Sequence, residues 1–299
     1  MKKIKTYFLL VLFGFVYYGC DKPAPTQLTQ DDEEQLEVEI LAKDTDDEFY
    51  SSDSSGVVDD LTGYANIITV SGIKITRGFA TINTAYAQAI FFDRNLPVYS
   101  PDGKLLLGFN TRLLGNVQFN SVSTRPIPFR IKYRNRNNGM HRDTLLGFRH
   151  VLNSIFQNQD FNYRYNSSVE FQLNPILGST TSFNIPTPLE VTGNVRLEGR
   201  RTNNTLRAIL EWDGKHHSKF EVILGASVRN SETVFPLFRL RIKDDGELVI
   251  PFELINRIPK RFDKFVFSFV RKIDYHYREN ENDLFILSQS IHSIIIDIP

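Results

Sequence analysis

From residue 61 to the C-terminus apolar residues recur at every second position, and this spacing constrains the fold of the 299-residue chain more than any other feature. Side chains of a strand alternate between two faces, whereas a helix repeats every ~3.6 residues. Phe129, Ile131 and Tyr133 alternate with Arg130, Lys132 and Arg134, and Val169, Phe171 and Leu173 alternate with Glu170 and Gln172. Leu206, Ala208, Leu210 and Trp212 share one face, as do Phe220, Val222 and Leu224. The same holds for Phe238, Leu240 and Ile242, with Arg239 and Arg241 pointing away, for Phe265, Phe267 and Phe269, and for Ile294, Ile296 and Ile298. Residues that tolerate tight turns separate these runs at Pro101-Asp102-Gly103, Asn138-Gly139, Asp213-Gly214 and Asp244-Asp245-Gly246, the last read as a hairpin between Arg241 and Leu248. The helical expectations are short: Thr144 to Phe156, and Phe252 to Arg257 ahead of Pro259. The pattern predicts an all-β fold.

Residues 174–188 gather Pro175, Gly178, Pro186 and Pro188 with Ser and Thr, a linker composition. They divide an N-terminal β-rich domain, 61–173, from a C-terminal domain, 189–299, each large enough to bury a core without cross-links. The chain holds one cysteine, so an intramolecular disulfide is excluded. About seven strands are expected in 189–299, and their spacing resembles an immunoglobulin-type or fibronectin-type module in pattern alone. That resemblance implies antiparallel sheets face to face. The expected fold class is therefore all-β, with two antiparallel β-sandwich (Ig-like) domains after the N-terminal segments.

At the N-terminus Lys2, Lys3 and Lys5 precede an apolar run from Tyr7 to Tyr18, followed by Gly19 and Cys20. A spanning helix needs about 20 apolar residues, so this shorter run reads as a signal peptide, 1–19. Val16-Tyr17-Tyr18-Gly19-Cys20 resembles the lipobox of bacterial lipoproteins, although Tyr17 and Tyr18 replace the usual branched aliphatic and small residues. The resemblance implies a lipid on Cys20 that anchors the protein to a membrane, since buried acyl methylenes contribute about 0.8 kcal/mol each. Asp21 resembles an inner-membrane retention signal and Asp31 to Glu34 a surface-export signal; the outer membrane is the favoured address.

Residues 20–60 carry fourteen Asp and Glu against Lys22 and Lys43, a net charge of −12. Dense like charge with little apolar surface predicts a disordered acidic tether, in which Leu36 to Leu41 forms at most a local element without a partner. The chain as a whole is neutral and the signal segment carries +3, which leaves +9 on residues 61–299. Arg125, Arg130, Lys132, Arg134, Arg136 and Arg142, with Arg149, face only Asp143 and form a candidate basic patch for anionic polymers, lipid headgroups or the acidic tether itself. A solvated strand face gives the same pattern. Nucleic acid is not an expected partner of an anchored, secreted chain.

The sequence contains no HExxH, CxxC, G-x-S-x-G or phosphate-cradling glycine motif, and thus no motif for a catalytic residue, cofactor or metal. His216 and His217 adjoin a turn, and Asp274 and His276 share a strand face with no assignable serine. Glu170, Glu198, Glu211 and Glu221 fall at solvent-face positions of the alternation. Trp212, Tyr163, Tyr165, Tyr275 and Tyr277 are the rings that could stack on a sugar, with Trp212 better read as core. Asp143-Thr144-Leu145 resembles a short bacterial O-glycosylation acceptor. These observations lead to the expectation of a non-catalytic envelope protein that binds a protein or polysaccharide, the alternative being a glycan-acting hydrolase with dispersed carboxylates.

Overall fold

Non-local strand pairing organises the chain. The computed structural model describes residues 37–41, 49–50, 64–104, 106–134, 141–153, 161–216, 219–228, 234–279 and 282–299. The first strands are β1 (Glu37–Ile40), β2 (Phe49–Tyr50), β3 (Asn66–Arg77), β4 (Ala80–Tyr99), β5 (Leu106–Thr111) and β6 (Gly115–Phe119). They are followed by β7 (Val122–Ser123), β8 (Arg125–Arg134), β9 (His141–Asn153), β10 (Ser168–Pro175), β11 (Thr181–Pro186) and β12 (Gly193–Glu198). The chain closes with β13 (Arg207–Trp212), β14 (Phe220–Ser227), β15 (Phe235–Ile242), β16 (Glu247–Ile250), β17 (Lys264–Glu279) and β18 (Asn282–Asp297). A short helix, α1 (Phe252–Ile255), falls where one was expected, and the fold is all-β.

Among the described residues these strands form one eleven-stranded, one four-stranded and one three-stranded sheet. The large sheet runs β1-β15-β14-β17-β18-β3-β4-β9-β8-β2, with β5 added to β4. Its central junction is the parallel pairing of β18 with β3, from Leu284 opposite Asn66 to Ile295 opposite Arg77. Strands from both sides of the expected 174–188 linker thus share one sheet, and that stretch itself contains β11 at the edge of the four-stranded sheet.

Both smaller sheets cover the same face of the large one. Val117, Phe119, Val169, Phe171 and Ile185 of the four-stranded sheet pack on Ile68, Val70, Ala87, Ala89 and Ile286. Ala208, Leu210, Trp212, Leu248 and Ile250 of the three-stranded sheet pack on Val222, Leu224, Leu240, Phe265, Phe267, Phe269 and Ile294. Alternate residues of β18 therefore serve both cores, Ile286 at one end and Ile294 at the other. Between them Ser288, Ser290 and His292 are buried at the place where the two small sheets part. On the opposite face Ile67, Ile90, Phe92, Phe129, Ile131 and Leu146 form a further cluster.

The large sheet is curled. Ten strands side by side at about 4.8 Å would separate β1 from β2 by about 43 Å if flat. Leu41 and Phe49 lie at those two edges, and the eight peptide steps between them reach at most about 29 Å.

Several local expectations are corrected. Residues 144–153, expected to begin a helix, belong to β9, which pairs with β8 and β4. A register shift between Phe129 and Arg130 places Leu146 as the extra residue of a bulge, and Gly147 beside it adopts φ 124°. The bulge breaks the period of two, so the apolar residues around it imitate a helical spacing. Asp244-Asp245-Gly246 does not close a hairpin, because β15 pairs with β14 in the large sheet while β16 pairs with β13 in the small one. That turn and Asp213-Gly214 are the corners where the chain crosses between sheets, and they bond to each other's surroundings through Trp212 N to Gly246 O at 2.8 Å and His216 N to Asp244 O at 2.9 Å. Asn138-Gly139 lies outside the described residues.

Candidate functional site

Of the residues singled out from sequence, Cys20 and Arg136 lie outside the described residues. Arg125 and Arg130 are exposed on β8, and the ladder sets Lys132 opposite Asp143, Tyr133 opposite Arg142 and Arg134 opposite His141. Backbone register thus brings Arg130, Lys132, Arg134 and Arg142 onto two neighbouring strands, with Arg125 at the far end of β8. Asp274 and His276 do not meet: Lys219 Nζ binds Asp274 at 2.7 Å, and His276 Nε2 lies 3.7 Å from Asp283. His216 is exposed with φ 54°, and His217 lies outside the described residues. Among the described residues no three His, Cys, Asp or Glu side chains gather as a metal-ligand set.

The acidic segment does find a partner. β1 adds antiparallel to β15, with Glu37 opposite Arg241 and Glu39 opposite Arg239. Arg241 donates to Glu37 and to Glu39 at 2.9 Å each, and Arg239 donates to Glu39 at 3.1 Å. Leu41 N bonds Leu237 O at 2.9 Å, and its side chain packs on a cluster of Ile223, Val270, Leu287 and Ile291. Arg239 was expected to face solvent, yet it is 1% exposed. Glu221, also expected at a solvent face, is buried beside it, 3.9 Å from Arg239 Nε and bonded by Lys272 at 2.7 Å. Alternation placed both residues on the face away from the Phe238 and Phe220 stripes; what it could not show was that this face is covered too.

A second ionic group lies inside the C-terminal sandwich. Arg271 continues the stripe of Phe265, Phe267 and Phe269 and is 0% exposed. Its Nε and Nη2 donate to the two oxygens of Asp244 at 2.8 and 3.0 Å. Its remaining donors reach the carbonyls of Glu190 and Asp213 at 2.5 Å. Trp212 Nε1 donates to Asp244 Oδ1 at 2.8 Å. One guanidinium thereby fixes both sheet-crossing corners and the approach to β12. Fork-shaped Arg–carboxylate geometry suits such a junction because each donor points in a fixed direction.

Where the two small sheets part, Gly193 N donates to His292 Nδ1 at 2.9 Å, so the neutral ring carries its proton on Nε2 and donates to Thr76 Oγ1 at 2.9 Å. Burial, and then the Lys74 ammonium, hold this histidine down at about 4. Tyr163 donates to Gln289 O at 2.8 Å, and burial raises its phenol far above the ordinary value. Tyr165, on the same cluster, is pushed up to about 12 by burial and then by the Glu190 carboxylate. Neither ring is a free platform.

Tyr275 and Tyr277 are different. They continue the inner face of β17 beyond the last residue that pairs with β14, and they are 39% and 56% exposed. Their rings stack on one another with centroids 6.3 Å apart and planes 25° from parallel. Trp212, by contrast, stacks on Phe220 within the core, as expected. No family model, curated protein or solved structure matches the chain.

Proposed function

We propose that this chain is a lipid-anchored protein of the bacterial cell envelope, held at the outer membrane through Cys20, that binds an envelope polysaccharide or protein without catalysing its conversion. The anchor rests on Lys2, Lys3 and Lys5, the apolar run from Tyr7 to Tyr18 and the only cysteine of the chain two residues after it, behind Gly19. The C-terminal half fits a fibronectin-type reading. In support of it, strands β12-β13-β16 pack face to face on β15-β14-β17-β18, and a frame of that kind commonly carries binding surfaces.

The observation that carries the binding role is the Tyr275–Tyr277 pair. An inward aromatic stripe runs out from beneath its covering sheet and leaves two neighbouring phenol rings open to water. Exposed rings with a polar tip are suited to stacking on sugar faces or on a partner's apolar residues. The buried carboxylates of the described residues, Asp244, Glu221 and Asp283, each face a cation, Arg271, Lys272 and Arg94 respectively, which suits a structural role.

The test has two arms. Cys20→Ala should move the protein from the membrane to the soluble fraction; membrane retention without lipid by mass spectrometry refutes the anchor. Tyr275→Ala/Tyr277→Ala should reduce retention on immobilised envelope polysaccharide, or capture of cross-linked envelope protein, at least tenfold. Unchanged retention removes the tyrosine surface, and release of new reducing ends from the polysaccharide favours the hydrolase instead.

A further inference from the structure

We propose that the outer edge of β15 is a strand-addition site for extended acidic peptides, and that β1 is its resident occupant. Tyr275 and Tyr277 take no part in it.

A sheet edge offers main-chain donors and acceptors to any strand, and side-chain complementarity decides which strand it takes. At β15 that complementarity is specific. Residues directly opposite in an antiparallel ladder share a face, and the register sets Glu37 against Arg241 and Glu39 against Arg239. The edge therefore reads carboxylates two residues apart. It also reads an apolar residue two positions beyond the second carboxylate, because Leu41 extends the main-chain bonding to Leu237 and packs its side chain on the cluster of Ile223, Val270, Leu287 and Ile291. The ligand class is an extended segment of the form Glu-x-Glu-x-Leu. A Lys or Arg at either acidic position would meet Arg239 or Arg241 and be rejected.

Burial makes the edge selective. Arg239 is almost wholly enclosed, and Glu221 beside it is equally enclosed. A neutral strand would leave buried Arg239 without the carboxylate that Glu39 sets 3.1 Å away. β1 holds the site with a four-residue ladder, and the sole cysteine of the chain precedes it, so no disulfide within the chain fixes it there. A resident strand held by so short a ladder can exchange with an acidic segment of another polypeptide presented at sufficient concentration, as anchored neighbours on one membrane would present it.

The experiment uses a fluorescent peptide spanning residues 35–43 and the full chain in three forms: wild type, Glu37→Gln/Glu39→Gln, and Glu37→Lys/Glu39→Lys. Cooperative unfolding followed by Trp212 fluorescence establishes that each is folded, and the Gln form serves should charge reversal prevent folding. The peptide should bind both variants saturably and the wild type at least tenfold more weakly, because β1 competes in the wild type. A peptide with Gln at both acidic positions should bind at least tenfold more weakly to the variants, and the difference should shrink in high salt. Equal binding of the Glu and Gln peptides overturns the acidic selectivity. Equal binding to wild type and variants, or no binding to folded variants, overturns the site. A shift of the variants alone to a dimer, with no peptide binding, identifies a second copy as the occupant and overturns the proposal in this form.

Discussion

Replacing Asp244 by Ala tests whether the Arg271 junction holds the C-terminal sandwich together. The substitution removes the acceptors of the hydrogen bonds from Arg271 Nε at 2.8 Å, Arg271 Nη2 at 3.0 Å and Trp212 Nε1 at 2.8 Å. Breaking a buried ion pair from one side costs about 3–5 kcal/mol, because the remaining charge stays buried without its partner. Asp213 Oδ1, 3.4 Å from Arg271 Nη1, remains and places the loss near the lower end, about 3 kcal/mol. The orphaned indole N–H adds about 1 kcal/mol. The sum, about 4 kcal/mol, is a large part of a domain's usual 5–15 kcal/mol. Urea unfolding followed by the fluorescence of Trp212, the chain's only tryptophan, reads the junction directly. With a slope of about 3 kcal/mol per molar the midpoint should fall by more than about 1 M. Asp244→Leu combined with Arg271→Met should recover at least half of that loss, since packed apolar groups replace buried ion pairs at little cost. A midpoint shift under about 0.3 M for Asp244→Ala at unchanged slope would refute the assignment.

Stability should fall as the pH is lowered from about 6.5 towards 4. Burial lowers the folded-state values of His292, to about 4, and of His150, below the ordinary value of 6.5, so protonation at both favours the unfolded chain. His292 faces Lys74, Glu190 and Asp213, and His150 would have to take its second proton on a buried Nε2 that lacks a hydrogen-bond partner among the described residues. Urea midpoints at pH 7 and 4.5 measure the effect, and His292→Gln should flatten the difference; an unchanged difference would exclude this histidine as its source. Gly72→Ala should destabilise by about 1–3 kcal/mol, because the added methyl would overlap the Tyr163 ring and lie 2.8 Å from Tyr165 Cε1, prying at the Tyr163–Gln289 bond. A Tm within a degree of wild type would show that the tyrosines move aside freely.

The parts of the fold legible in the sequence are those where one strand has one buried face. Leu206, Ala208, Leu210 and Trp212 are buried together on the inner side, with Arg207 and Glu211 exposed between them. Alternation fixes parity along one strand and nothing more. It does not say whether the second face meets water, so Arg239 and Glu221, assigned to solvent, are enclosed. A single extra residue resets the parity, which is why β9 read as a helix. Turn residues mark where a chain reverses and leave open which sheet it enters next, so a corner between sheets carried the same Asp-Asp-Gly signal as a hairpin. The parallel pairing of β18 with β3 joins residues more than 200 positions apart, and no local pattern announces it.

Charge behaves in a related way. Fourteen acidic residues in 20–60 point to a solvated segment, and the basic excess of the remainder points to anionic partners, the acidic segment itself among them. Taken residue by residue, the two charges meet at β1. Glu37 and Glu39 are spaced for a strand and bracketed by Leu36, Val38, Ile40 and Leu41, while Arg239 and Arg241 carry the matching spacing on a strand of the body. A period-two pattern inside an acidic run is a strand signal that net charge conceals. What remained illegible was that β15 leaves its outer side to β1, because the order of strands is a property of the assembled sheet. For the same reason the pair Tyr275 and Tyr277 could not be told from core aromatics by sequence: they share the parity of Phe265, Phe267 and Phe269, and only the extent of the covering sheet leaves them open to solvent.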